Sequence, residues 1–117
     1  MISPLLWVLL AALHLTAPPT QLQEWDGKSP VFVTAPAKPR SGRPLAISVG
    51  ALPANARNVV VIVDGLRVRT VSDGDGLYRA AVASPDPGVI SLAVRFSVGQ
   101  KRYQSPGPGV LVAPQSG

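Results

Sequence analysis

Residues 59–71 read VVVIVDGLRVRTV: a continuous β-branched run, an Asp-Gly pair, then an apolar–polar alternation. Asp64-Gly65 suits a two-residue hairpin loop, because both central positions of a type I′ turn take positive φ. Closing the turn there pairs Val63 with Leu66, Ile62 with Arg67, Val61 with Val68 and Val60 with Arg69. Successive strand side chains point to opposite faces. Val59, Val61, Val63, Leu66 and Val68 are therefore expected in a core, with Val60, Ile62, Arg67 and Arg69 on an outer face.

The same two-residue period extends in both directions. Leu45, Ile47 and Val49 alternate with Ala46 and Ser48, and Ile90, Leu92, Val94, Phe96 and Val98 alternate with Ser91, Ala93, Arg95 and Ser97. A second two-residue loop at Gly99-Gln100 pairs Phe96 with Tyr103 inside, and Arg95 with Gln104 and Ser97 with Arg102 outside. The expected core is Val61, Leu66, Val68, Ile90, Leu92, Val94, Phe96 and Tyr103. Turn signals recur at short intervals, at 39–44, 52–55, 73–76, 84–88 and 105–109, and no segment of this region has helical periodicity. The pattern predicts an all-β fold, an immunoglobulin (Ig)-like β-sandwich of about seven strands over residues 31–113, with 114–117 as a tail.

Asp75-Gly76-Leu77-Tyr78 is similar to a D-G-x-Y strand opening, and Pro85 with Gly88 to a shortened P-x-x-x-G turn. Ile90, Leu92 and Val94 follow in matching alternation, and Ser105-Pro106 precedes Val110-Leu111-Val112. Over residues 75–112 this series resembles the early-set Ig-like domains, filamin-type repeats in particular. Where that family has an aromatic after Ser-Pro, this chain has Gly107. The resemblance implies a module for spacing and protein docking, with no catalytic residue to transfer.

The composition narrows the chemistry. The 117 residues include no cysteine, which excludes a disulfide framework, a thiol nucleophile and Cys-based metal sites. Residues 31–113 contain no His and no Glu, and their four Asp (64, 73, 75 and 86) all lie in or beside turns. Convergent acid–base or nucleophilic groups are missing, so no catalytic residue, cofactor or metal is expected. Asp73-Gly74-Asp75-Gly76 looks like a calcium loop, but Leu77 and Ser84 occupy positions where oxygen ligands and a bidentate acid are needed; it reads as a turn.

Ile2–Ala17 is apolar apart from Ser3, Pro4, His14 and Thr16, and Pro18-Pro19 ends it. The expectation is a hydrophobic helix within residues 1–17. At 1.5 Å per residue it reaches about 24 Å, short of a ~30 Å hydrocarbon core and closer to a signal peptide. The first Lys or Arg is Lys28, and Ala17 is followed by Pro18, so a retained signal anchor and a cleaved signal both fit. His14, the one histidine, reads as an interfacial residue of that helix rather than a ligand. Residues 18–30 read as an extended linker carrying Trp25 as an interfacial or docking aromatic.

The chain carries a net charge of +5, and residues 31–113 hold ten Lys and Arg against the four Asp. Such a field favours anionic partners: lipid headgroups, acidic protein surfaces or polyanionic glycans. With few aromatics for base stacking and no groove-reading helix, nucleic acid is not expected. The reading is therefore a non-catalytic exported module, membrane-anchored or periplasmic/extracellular, acting as a structural or accessory subunit of a larger membrane-associated assembly. An adhesive module for an anionic surface and a small virion structural protein are the alternatives. Protein contact is expected at an apolar strip, Val60 and Ile62, rimmed by Arg67, Arg69, Arg95 and Arg102.

Overall fold

The computed structural model describes residues 21–115, so the expected N-terminal helix and His14 lie outside the described residues. Among the described residues the chain is all-β, with nine strands: β1 (Leu22–Glu24), β2 (Val31–Ala35), β3 (Leu45–Gly50), β4 (Ala56–Val63), β5 (Leu66–Arg69), β6 (Val71–Gly74), β7 (Leu77–Val82), β8 (Gly88–Val98) and β9 (Lys101–Val112). They form two facing sheets, β1-β9-β8-β4-β5 (sheet A) and β2-β3-β7-β6 (sheet B). Val59, Val61, Val63, Ile90, Leu92, Val94 and Phe96 of sheet A meet Leu45, Ile47, Val49 and Ala80 of sheet B in the core, joined by Leu52 and Val112.

Both hairpins close in the expected register. Val63 pairs with Leu66 through Val60 with Arg69 across Asp64-Gly65, and Phe96 pairs with Tyr103 and Ser97 with Arg102 across Gly99-Gln100. Asp64 and Gly65 both have positive φ (47° and 83°), as a type I′ loop requires. The Asp64 carboxylate also accepts hydrogen bonds from the Ser91 backbone N–H (2.7 Å) and hydroxyl (3.2 Å), tying this turn to β8.

Several expectations are corrected. Leu66 is 72% exposed, whereas Val68 and Tyr103 pack against the core on the expected face but are only half-buried. The run 66–71 is not one strand: at Thr70, whose hydroxyl donates to the Val59 carbonyl (2.7 Å), the chain passes from sheet A to sheet B. β5 is thus a short edge strand, and Leu66 sits at its far end, beside an opening of about 170 Å³ also lined by Val63, Val82, Pro85 and Ile90. The fold begins at Leu22 instead of 31, because β1 runs parallel to β9 and Trp25 packs edge-on against Phe96 and Tyr103 with ring centroids 5.2 and 5.0 Å apart. Trp25 is a core aromatic of this sheet. At the other end, the Gln115 backbone N–H donates to Ser41 Oγ (2.8 Å), so the start of the expected tail is fixed to the domain.

Ser105–Gly109, read as a turn, lies inside β9, with a register shift opposite β8 between Ser91 and Ala93. Pro106 fits there because it has the parity of Gln104, whose carbonyl accepts from the Trp25 N–H on the side away from β8. Its missing N–H therefore faces an edge that β1 covers only along residues 102–104, and Pro108 falls at the register shift. At Gly107 a Cβ would stand 2.8 Å from the Phe32 ring and 3.0 Å from the Leu92 carbonyl. An aromatic of β2 from the facing sheet crowds the position where the resembled family carries its own aromatic.

A second register shift, between Arg57 and Val60 of β4, places Asn58 and Val59 opposite Phe96. Asn58 has φ 53°, the left-handed conformation that Asn tolerates and β-branched residues resist. Asn58→Gly is expected to leave stability within about 0.5 kcal/mol, whereas Asn58→Val lowers it by about 1–2 kcal/mol. Urea unfolding midpoints of the two variants check the assignment.

Candidate functional site

The register of sheet A sets its outer face in rows. One row runs Arg69, Val60, Arg95, Gln104 and Glu24; a second runs Arg57, Ser97, Arg102 and Leu22. A third runs Arg67, Ile62, Ala93 and Pro106. Adjacent rows are about 7 Å apart along the strands. Arg67, Arg69, Arg95 and Arg102, expected on one face from two separate hairpins, thus share one sheet.

Arg57 is a fifth arginine that sequence reasoning missed. Strict alternation from Val59 sends it to the core; the extra residue at Asn58 reverses the phase and pairs it with outward-facing Ser97. The available signal was an Asn directly before a β-branched run.

Ile62 corrects the expectation in the other direction. It is 6% exposed, hence buried, while Val60 is half-buried. Ile62 sits on an inner strand between Arg67 and Ala93, where the aliphatic stem of a long neighbour can cover an apolar side chain. Of the expected apolar strip, only Val60 is partly exposed.

Val60 helps to line a concavity of about 430 Å³, with Val59 and Phe96 at its floor and Asn58, Arg67, Arg95, Ser97 and Arg102 around it. Arg95 Nε donates to Gln104 Oε1 at 2.6 Å, which fixes one guanidinium while leaving its terminal nitrogens for another acceptor. Among the described residues none of the five arginines forms an ion pair. Glu24, at the sheet edge, is the one carboxylate that the register puts in these rows. On the other sheet the balance differs: Arg79 is paired with Asp73 (2.6 Å), and the outer face around it carries Val31, Val33, Ala46 and Val71.

Chemically, the concavity offers several guanidinium forks with Ser97 and Asn58 as neutral donors, an arrangement for receiving an oxyanion. Among the described residues there is no group of three or more His, Cys, Asp or Glu that could hold a metal ion. No protein-family model and no curated protein sequence matches this chain.

Proposed function

We propose that this chain is a non-catalytic, membrane-targeted Ig-like module that acts as a structural or accessory subunit of a membrane-associated assembly, with the arginine face of sheet A as its contact to an anionic partner. The observation that carries this reading is a juxtaposition. An apolar segment, Ile2–Ala17, is joined through residues 18–21 to the first strand of a β-sandwich whose same sheet displays five arginines. The Ig-like assignment is supported by strand order, since β2-β3-β7-β6 facing β9-β8-β4-β5 follows the A-B-E-D and G-F-C-C′ pairing of such domains.

Burial of Ile62, together with three arginines in the lining of the concavity, favours one modification of this reading: the recognition is mainly electrostatic. The test uses the full chain. Membrane fractionation with intact-mass measurement, followed by crosslinking, is expected to find it in the membrane fraction at fixed stoichiometry with other proteins. Arg67→Glu combined with Arg95→Glu is expected to reduce that association at least tenfold while the domain stays folded, since Arg67 is exposed and half-buried Arg95 gives up only its bond to Gln104 on the outer face. A chain that fractionates as a free soluble protein, or a double variant that associates normally, overturns the proposal.

A further inference from the structure

The place where the chain enters sheet A bears on which anion the arginines meet. We infer that the concavity binds the phosphate groups of anionic lipid headgroups in the same membrane to which residues 1–17 attach the chain; this rests on the membrane-targeted reading above. Leu22, the first residue of β1, pairs with Arg102, so the chain enters at the row that also holds Arg57, with Lys101 one residue further out. Between Ala17 and Leu22 the backbone can span at most about 17 Å. An attached domain is therefore held with this row close to the headgroup layer, within one or two Debye lengths. The Arg69–Arg95 row follows about 7 Å along the strands and Arg67 about 14 Å along them, so the basic groups are densest at the point of attachment.

The donor set favours a phosphate over a carboxylate. Arg67, Arg95 and Arg102 line one concavity with Ser97 and Asn58, which is more donor capacity than the two oxygens of a single carboxylate can use. A phosphodiester offers two charged oxygens and two ester oxygens, and neighbouring headgroups can engage Arg57 and Arg69. Leu22, 39% exposed in the row of entry, supplies an apolar residue at the same level.

The chain lacks cysteine, so a single introduced thiol reports one position without interference. Full-length Gln100→Cys, labelled in the turn at this end, and full-length Ser84→Cys, labelled at the opposite end, are reconstituted into protein-free vesicles. Energy transfer to a headgroup acceptor is compared between pure phosphatidylcholine and phosphatidylcholine with 30% phosphatidylglycerol. The Gln100 label is expected to approach the surface in the anionic vesicles while the Ser84 label does not. Arg95→Glu with Arg102→Glu should lower the docking equilibrium at least about tenfold without releasing the chain from the vesicles. Millimolar inorganic phosphate at constant ionic strength is expected to leave the bilayer contact in place, since it lacks the multivalency of a headgroup layer; reversal by phosphate assigns the site to the free ion and overturns the headgroup assignment. Composition-independent transfer, or an anionic-lipid effect that survives the double substitution, overturns this inference alone. Failure of the chain to float with any vesicle overturns the membrane-targeted reading beneath it.

Discussion

Phe96→Ala is expected to destabilise the domain by about 3–5 kcal/mol, at the upper end for a single truncation. The side chain is 2% exposed, and it is among the largest of the fully enclosed ones. Its ring also forms one corner of an aromatic cluster with Trp25 at 5.2 Å and Tyr103 at 6.0 Å, beyond the aliphatic contacts of the core. Trp25 is held on its other side by the hydrogen bond its indole N–H donates to the Lys28 carbonyl (3.0 Å). Removing Phe96 therefore leaves a cavity beneath Trp25 and weakens the docking of the three-residue strand β1. Urea unfolding should give the global loss, and amide exchange should show Trp25 N–H, which donates to the Gln104 carbonyl (2.9 Å), losing protection first. A loss below about 1.5 kcal/mol would contradict this packing.

Gly76→Ala is expected to cost about 2–4 kcal/mol, because two penalties coincide. The residue has φ +75°, and an added Cβ would lie 2.6 Å from the Leu52 carbonyl oxygen, a backbone atom with no rotamer to move away. That same stretch is fixed by the Leu52 N–H donating to the Gly76 carbonyl (3.4 Å) and by Leu52 being buried at 6% exposure. Gly74 is the control: its φ is +84°, but nothing lies within 4 Å of its notional Cβ, so Gly74→Ala should lose only the conformational part, about 1–2 kcal/mol. Thermal denaturation of the pair separates strain from clash; equal losses would remove the Leu52 contact from the account.

Local turn chemistry made most of sheet A readable. Asp64-Gly65 and Gly99-Gln100 each fix a register by themselves, and alternation then assigns every side chain within reach of the turn. The readings failed where a non-local constraint acts. Leu66 follows the alternation, yet the facing sheet does not extend over it, because the chain changes sheets at Thr70. Ile62 lies in register with outward-facing residues and is buried all the same, on an inner strand between Arg67 and Ala93. Arg57 required knowing that Asn58 adopts a left-handed conformation, which no alternating pattern reveals. β1 has no strand pattern of its own; its three residues are held by pairing with β9 and by the aromatic contacts of Trp25. Ser105–Gly109 has turn composition, and a strand is acceptable there because Pro106 faces the side that β1 leaves uncovered and Pro108 falls at the register shift.

Pro106 in β9 has a consequence for crowding. Among the described residues β1 shields positions 102–104 of that edge and the 39–41 segment bonds to Ala113 just past its end, so the stretch between them would otherwise offer a template to any extended chain nearby. Pro106 removes a donor from that template, and an incoming segment would leave a carbonyl unmatched at its rung. Copies confined to a plane meet side by side far more often than copies in free solution. Pro106 works against copies zipping edge to edge into a continuous intermolecular sheet, and its missing N–H lies on the side of β9 away from β8.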